Sequence, residues 1–502
     1  MFLIPHPSLI DYAKTILPEN SDPVIRAKDF VPIIEHIRHT AAPLVHASSG
    51  FMRQSTEFWR EMLAKMGVKN LFTMALSEIC ASAAVAELMS DPRIDKPDWE
   101  LNNVTIKDVP VRVEERDVMS DEFSHNGYDY NAFMGMKHFV AFNKETGEQI
   151  KTEGDPVMLI APNSGHPPEY IDKTVQGYME QGRDVYVVYC RDAMDIPLTA
   201  GRFGLNEYIS GLARFTNFFR DVGVHVIPIC QPGPPLMAAL ALMGELVEKG
   251  HNHISLPRTI VSKANPYDTD VNQQLPNKFA RSKPLSWFKK FTQAEVPLGY
   301  GYKGAGRKIY YGAWQIASFM MGKPDSHWRT LGDYNKAVAD GHHSAEHKIG
   351  NFYGKRFLVP SSLTWEFYIE TVKEWFIDNS LAKGTFRFTG EICGHEFKDH
   401  VVDLSKVKGR DMGALFIEGE KDDITGVGQV TAMSRLLTGV QKQYYILVKG
   451  AGHTGVFRGD NFVNHVCKPV VEFMRAFDRM PTAPEPKLRS VPLPQYAIGK
   501  AA

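Results

Sequence analysis

The 502-residue sequence is short of several things, and each shortage removes a class of protein. It has no excess of charge of either sign. Lys and Arg number 57 against 58 Asp and Glu, a net charge of -1, so the electrostatic footprint of a nucleic-acid partner is missing. Cysteine is scarce: Cys80, Cys190, Cys230, Cys393 and Cys467 are odd in number, widely spaced and form no CxxC pair. This argues against a disulfide framework and a structural zinc site, and it fits reduced thiols in a cytoplasm. A long uncharged apolar run is also lacking. The nearest, Leu71 to Met89, carries Glu78 and Glu87 and reads as a buried helix, so no transmembrane segment is expected. The start, MFLIPHPSLIDYAK, has no basic segment leading into an apolar one, so no secretory signal is expected. What is present, 43% apolar and 23% charged residues, suits a folded chain able to bury a large core.

The texture changes along the chain. Residues 1–103 lack strand-like runs, and segments 31–47, 53–67 and 71–90 carry apolar residues at helical spacing, which predicts a helical N-terminal extension. From 104 to 254 the pattern alternates between strand and helix. VTIKDVPVRVEER and HFVAFNK read as strands. PVMLIAPNSGH, DVYVVYCRDA and VHVIPICQPG are continuous apolar runs ending in turns, as buried parallel strands are. Residues 255–405 are rich in aromatics and helical in pattern and read as a cap or insertion, its tryptophans mostly core. The strands GALFIEGE and QYYILVKG and a last helix return within 406–480, and residues 481–502 form a Pro-rich tail expected to be extended or disordered. The fold class expected is α/β: a mostly parallel sheet flanked by helices, with a helical cap insertion and a helical N-terminal extension.

The chemistry centres on His225-Val-Ile-Pro-Ile-Cys230-Gln231-Pro232-Gly233. An apolar strand runs into a reactive residue and then a helix, the layout of a nucleophile elbow. The helix N-terminus behind it favours negative charge and offers N–H groups to an oxyanion. Taken alone, Cys230 reads equally well as a small buried hydrophobe. Chain order changes that balance. An acid follows the strand GALFIEGE (Asp422, with Asp423 beside it), and His453 follows QYYILVKG, 31 residues after Asp422. Nucleophile, acid and histidine in that order, each after a strand end, is the sequence of an α/β-hydrolase site. Cys230 would attack, His453 would carry its proton, and Asp422 would orient the imidazole. The backbone of Gln231 is one candidate oxyanion donor, and Ser164 and Gly165 after PVMLIAP are candidates for the second. His166, Asp192 and Asp423 are candidate supports.

Other signals are weaker. Gly299-Tyr-Gly301-Tyr-Lys-Gly304 lacks a preceding strand and a downstream acid for a dinucleotide, and GHHSAEHK around His343 reads as a solvated helix. No metal and no cofactor are expected.

The motifs LIAPNSGH, VYCRDAMDIPLTAGRFGLNEYI, HVIPICQPGPPLMAALALM, FIEGEKDDITGVGQ and GAGHTGVFRG run in one order that resembles the intracellular polyhydroxyalkanoate (polyhydroxybutyrate, PHB) depolymerases, over about residues 105 to 477. The resemblance implies an α/β-hydrolase fold, a Cys230–His453–Asp422 triad and an acyl-enzyme, with storage polyester as substrate and 3-hydroxybutyrate and oligomers as products. It implies a carboxylic ester hydrolase working in the cytoplasm at the surface of polyester granules, with the oligomeric state left open. Two alternatives remain. A polymer synthase transferring acyl groups from a CoA thioester also uses a cysteine, but it resembles a Gly-flanked rather than a Pro-flanked elbow. A non-catalytic granule protein would not need Cys, Asp and His intact and in order.

Overall fold

In the computed structural model, residues 27–65, 98–118, 132–312, 324–345, 361–409 and 411–479 are described, together with isolated positions between them. The stretch Leu71 to Met89 falls almost wholly outside these, as does the tail 481–502. Among the described residues, no helix is long and apolar enough to cross a membrane.

The apolar runs become strands: β1 (Thr105–Ile106), β2 (Val109–Asp117), β3 (Met134–Asn143), β4 (Val157–Ile160), β5 (Val185–Cys190), β6 (His225–Pro228), β7 (Thr259–Lys263), β8 (Gly413–Gly419) and β9 (Lys442–Val448). They form one nine-stranded sheet in the order β1-β2-β3-β5-β4-β6-β7-β8-β9. Strand β3 runs antiparallel to β2 and β5, and every pairing from β5 through β9 is parallel. Two strands near one edge, β3 and the two-residue β1, run against all the others, and with the β5-β4-β6 exchange this gives the α/β-hydrolase fold. Strands β4, β6, β7 and β8 are buried along their whole length, which is why β4, β6 and β8 read as largely apolar runs.

The described residues divide between two compact units. One draws on Trp99–Asn163, Tyr170–Ser286 and Thr364–Ala502 and contains the sheet. Its core fills one face of the sheet with Val157, Leu159, Val187, Ile227 and Val261, packed against Ile171, Val175 and Tyr178 of one helix and Val470, Val471 and Phe473 of the last. Because β7 lies inside the sheet, the excursion begins after Lys263 and not at 255. The excursion also returns earlier than 405: its last part, from Thr364, belongs to the sheet's unit and carries a two-stranded hairpin, Arg387–Ile392 and His395–Val401. That part is therefore not all helical, since Phe388, Ile392 and Phe397 turn inward on paired strands. Trp365 and Trp375 are buried, as expected of core aromatics.

The other unit draws on Met1–Asp98, Ser164–Glu169 and Trp287–Leu363. Its main described element is one helix, α1 (Ala27–Lys65), where the spacing suggested two. No proline interrupts residues 48–56, and the Ser48 and Thr56 hydroxyls turn back to the carbonyls of Val45 and Met52, so the helix runs through. Glu35 on this helix is buried and accepts hydrogen bonds from the Tyr302 and Tyr311 hydroxyls. Leu44, Phe51 and Phe58, one every seven residues, remain exposed beside Val45 and Met52.

Candidate active site

Three strands of the sheet's unit, β6, β8 and β9, each lead at the carboxyl edge to one residue of the site. Strand β6 ends at Pro228, and the chain turns through Cys230 into helix α2 (Gly233–Glu248), which Pro234 and Pro235 open in its first turn, where a missing N–H costs nothing. Cys230 sits at φ +63°, a left-handed backbone that a non-glycine residue adopts only when its surroundings enforce it. Three hydrogen bonds do so: Cys230 N–H donates to the Lys263 carbonyl at 2.9 Å, Asn265 Nδ2 donates to the Cys230 carbonyl at 2.7 Å, and Gly233 N–H to the same carbonyl at 3.3 Å. Asn265 also reaches the Pro228 carbonyl, spanning the turn. Gly233 must lack a side chain, because a Cβ there would lie 2.5 Å from that of Asn265.

Strand β8 ends at Gly419, and Asp422 follows. Its Oδ1 accepts from the backbone N–H of Ile424 at 2.9 Å and Thr425 at 2.8 Å, which fixes the carboxylate in place. Strand β9 ends at Val448, and His453 opens a short turn after Gly452. The two loops are tied by Glu420 N–H to the Val448 carbonyl and Lys421 N–H to the Ala451 carbonyl. Gly419 permits this approach, since a Cβ there would meet the Ala451 oxygen at 2.6 Å. Thr425 in turn donates to the Ala264 carbonyl beside the elbow's support.

The result brings three side chains into a line. His453 Nε2 lies 3.3 Å from Cys230 Sγ, and His453 Nδ1 lies 2.9 and 3.0 Å from the two Asp422 oxygens. All three residues are buried. Burial alone would drive His453 toward the neutral form. The Asp422 carboxylate and the Cys230 sulfur outweigh it, and the imidazole is held well above its ordinary range. Burial pushes the Cys190 and Cys393 thiols up to about 12 and Cys467 to about 11, so they stay protonated and unreactive at neutral pH.

The remaining expectations fall as follows. Gln231 directly follows Cys230 and is partly exposed. Ser164, Gly165 and His166 follow β4 by a few residues and belong to the other unit, with Gly165 at φ +131°. Asp192 caps a short turn by accepting from Met194 N–H at 2.9 Å, a local structural task. Asp423 is partly buried beside Asp422, and it is the latter that meets His453. Sequence reasoning missed Asn265, whose role depends on β7 lying next to β6. It also missed Lys263, fully buried, donating to the Tyr178 hydroxyl at 2.7 Å and lying 4.5 Å from the Phe462 ring centre; burial lowers its ammonium to about 7.

Comparison with known proteins gives one family. Residues 264–478 match the model described as PHB de-polymerase C-terminus. No curated protein matches the chain. Among solved structures, a hypothetical protein from Pseudomonas aeruginosa is 10% identical, with 76% of this chain and 97% of that chain covered at a TM-score of 0.38. A carboxylesterase from Bacillus subtilis is 11% identical over 79% of this chain and 98% of that one, at 0.32. A monoacylglycerol lipase from Paleococcus ferrophilus is 13% identical over 64% and 95%, at 0.35. With values this low, it is the strand order of the chain itself that carries the fold.

Proposed function

Because residues 264–478 belong to the PHB de-polymerase C-terminus family, we propose that this chain hydrolyses the ester bonds of poly(3-hydroxybutyrate) and related polyhydroxyalkanoates, with Cys230 as nucleophile, His453 as base and acid, and Asp422 orienting the imidazole. The chain is a carboxylic ester hydrolase. The observation that carries the reading of the site is the 3.3 Å approach of Cys230 Sγ to His453 Nε2 while Asp422 holds Nδ1.

The steps follow from these positions. His453 Nε2 takes the thiol proton, and the sulfur attacks the ester carbonyl, forming a C–S bond and a tetrahedral oxyanion. Gln231 N–H, just ahead of the helix N-terminus, is one donor to that oxygen. Collapse breaks the ester C–O bond, and the imidazolium protonates the departing hydroxyl of the polymer. Water then gives a proton to His453 and attacks the thioester, releasing the acid and restoring the thiol. The raised affinity of His453 for a proton supports its part as the group that takes the thiol proton. The exposed row Leu44, Phe51 and Phe58 on α1 supports contact with an apolar granule surface.

The test uses purified full-length protein and amorphous PHB granules. Wild type releases 3-hydroxybutyrate, and Cys230→Ala lowers the rate by at least about 10⁴-fold while thermal stability stays close to wild type. Release at the wild-type rate by that variant would remove Cys230 from the chemistry.

A further inference from the structure

A second cluster of chemistry-bearing side chains includes none of Cys230, Asp422 and His453. The loop after α2 carries His251 and His253, and the tip of the hairpin Arg387–Ile392/His395–Val401 carries His395, all within the sheet's unit. One ligand nitrogen from each imidazole lies within 4.8 Å of the others. The Nε2 atoms of His253 and His395 are 3.4 Å apart. Two nitrogens bound about 2.0 Å from one tetrahedral zinc ion stand about 3.3 Å apart, so this spacing is already that of a chelated pair. The rings of His251 and His395 have centres 4.0 Å apart and are tilted by 51°, so they are not stacked face to face.

Both sides of the cluster are held in place without any help from the imidazoles. Asn217 Nδ2 donates to the His253 carbonyl at 3.1 Å and Asn217 Oδ1 accepts from Ser255 N–H at 3.0 Å, clamping the loop. His251 N–H donates to the Leu246 carbonyl at 3.1 Å. On the hairpin, Cys393 and Gly394 take the two left-handed positions of a tight turn, Gly394 N–H donates to Glu391 Oε1 at 3.0 Å, and His395 pairs with Ile392. The ligands would therefore be preorganised, and metal binding would cost little ordering. The other compact group of potential ligands, Asp155, His225 and Asp478, is already engaged by the guanidiniums of Arg183 and Arg258.

We propose that His251, His253 and His395 bind one late first-row divalent ion of the zinc class, which clips the hairpin to the loop leading into β7. A donor set of imidazole nitrogens suits zinc, nickel, cobalt or copper, and is a poor match for calcium or magnesium, which take oxygen. Three protein ligands leave a fourth position to water. The clip joins residues 142 apart in sequence, and its second side feeds the strand whose end supports the elbow.

Chelator-treated full-length protein is titrated with ZnCl₂ by calorimetry, and its thermal midpoint is followed with and without the metal. Wild type takes up one ion and its midpoint rises. His395→Ala and, independently, the exposed His253→Ala each weaken uptake at least tenfold and remove the rise. His343→Ala, in the other histidine-rich segment, leaves both unchanged. Failure of the wild type to bind, or binding by both cluster variants within tenfold of wild type, overturns the assignment.

Discussion

Among the described residues, two buried aspartate–histidine pairs lie at opposite ends of the sheet, and they differ in what surrounds them. At the carboxyl end, His453 lies between Asp422 and a sulfur. At the amino end, His225 lies between Asp478, 2.9 Å away, and the Thr259 hydroxyl, 2.8 Å away. Strand β6 links the two ends, starting with His225 and leading two residues beyond its end to Cys230. Asp478 also accepts two hydrogen bonds from the Arg183 guanidinium, which, with His225, draws its carboxyl far below the usual range against the cost of burial. Its charge is thus already neutralised. Burial then prevails at His225, with the Arg183 charge adding to it, and the imidazole titrates lower than normal. Asp422 instead meets backbone N–H groups and one imidazole, so its field acts on His453. The same two residue types make a fixed anchor in one place and the proposed proton carrier in the other, and the guanidinium is the difference.

The comparison can be broken in three ways. The largest effect is at the carboxyl end: Asp422→Asn should lower ester hydrolysis by about 10⁴-fold with little change in unfolding free energy, measured by turnover and urea titration. If turnover falls less than tenfold, the pairing is no more than structural. At the amino end the pattern should invert. Asp478→Asn leaves the Arg183 charge buried and unpaired, and should cost about 3–5 kcal/mol of stability while the folded fraction keeps its turnover. A loss of turnover in folded Asp478→Asn would show that the two ends are coupled.

The third effect is smaller and has opposite signs. His225 has a lowered folded-state pKa, so the unfolded chain takes up a proton that the folded one refuses; stability is lost as pH falls below about 6.5. His453 has a raised folded-state pKa, so its contribution is fully present below about 6.5 and fades as pH rises through the folded value. In urea unfolding across a pH series, His225→Gln should flatten the acid side of the profile and His453→Gln the side above about 6.5. Equal slopes in the two variants would remove the distinction.

Much of this was legible in the sequence because buried parallel strands advertise themselves. The run VMLI is apolar throughout, HVIP and GALFIEG are apolar but for His225 and Glu418, and each ends where a site residue or its loop begins. The order Cys230, Asp422, His453 could therefore be read without knowing the fold's details. Other features could not. Asn265 braces the elbow only because β7 lies beside β6, and adjacency in a sheet leaves no mark on spacing. The Asp478–Arg183–His225 network joins residues 253 and 295 apart, each ordinary on its own. The three-histidine cluster escaped notice for the same reason, since two of its members sit in HNH and the third in an unrelated hairpin. The cap's boundary was misjudged because TIVSK is short and borders a region of aromatic helices, so its five residues did not stand out as a strand.

The 223 residues between Cys230 and its imidazole also set an order in time. During synthesis the thiol leaves the ribosome long before its base, and the last strand must dock before the two can meet. On the proposed reading, a chain still being translated holds a sulfur without its base, and ester cleavage would arise only when the last two strands join the sheet.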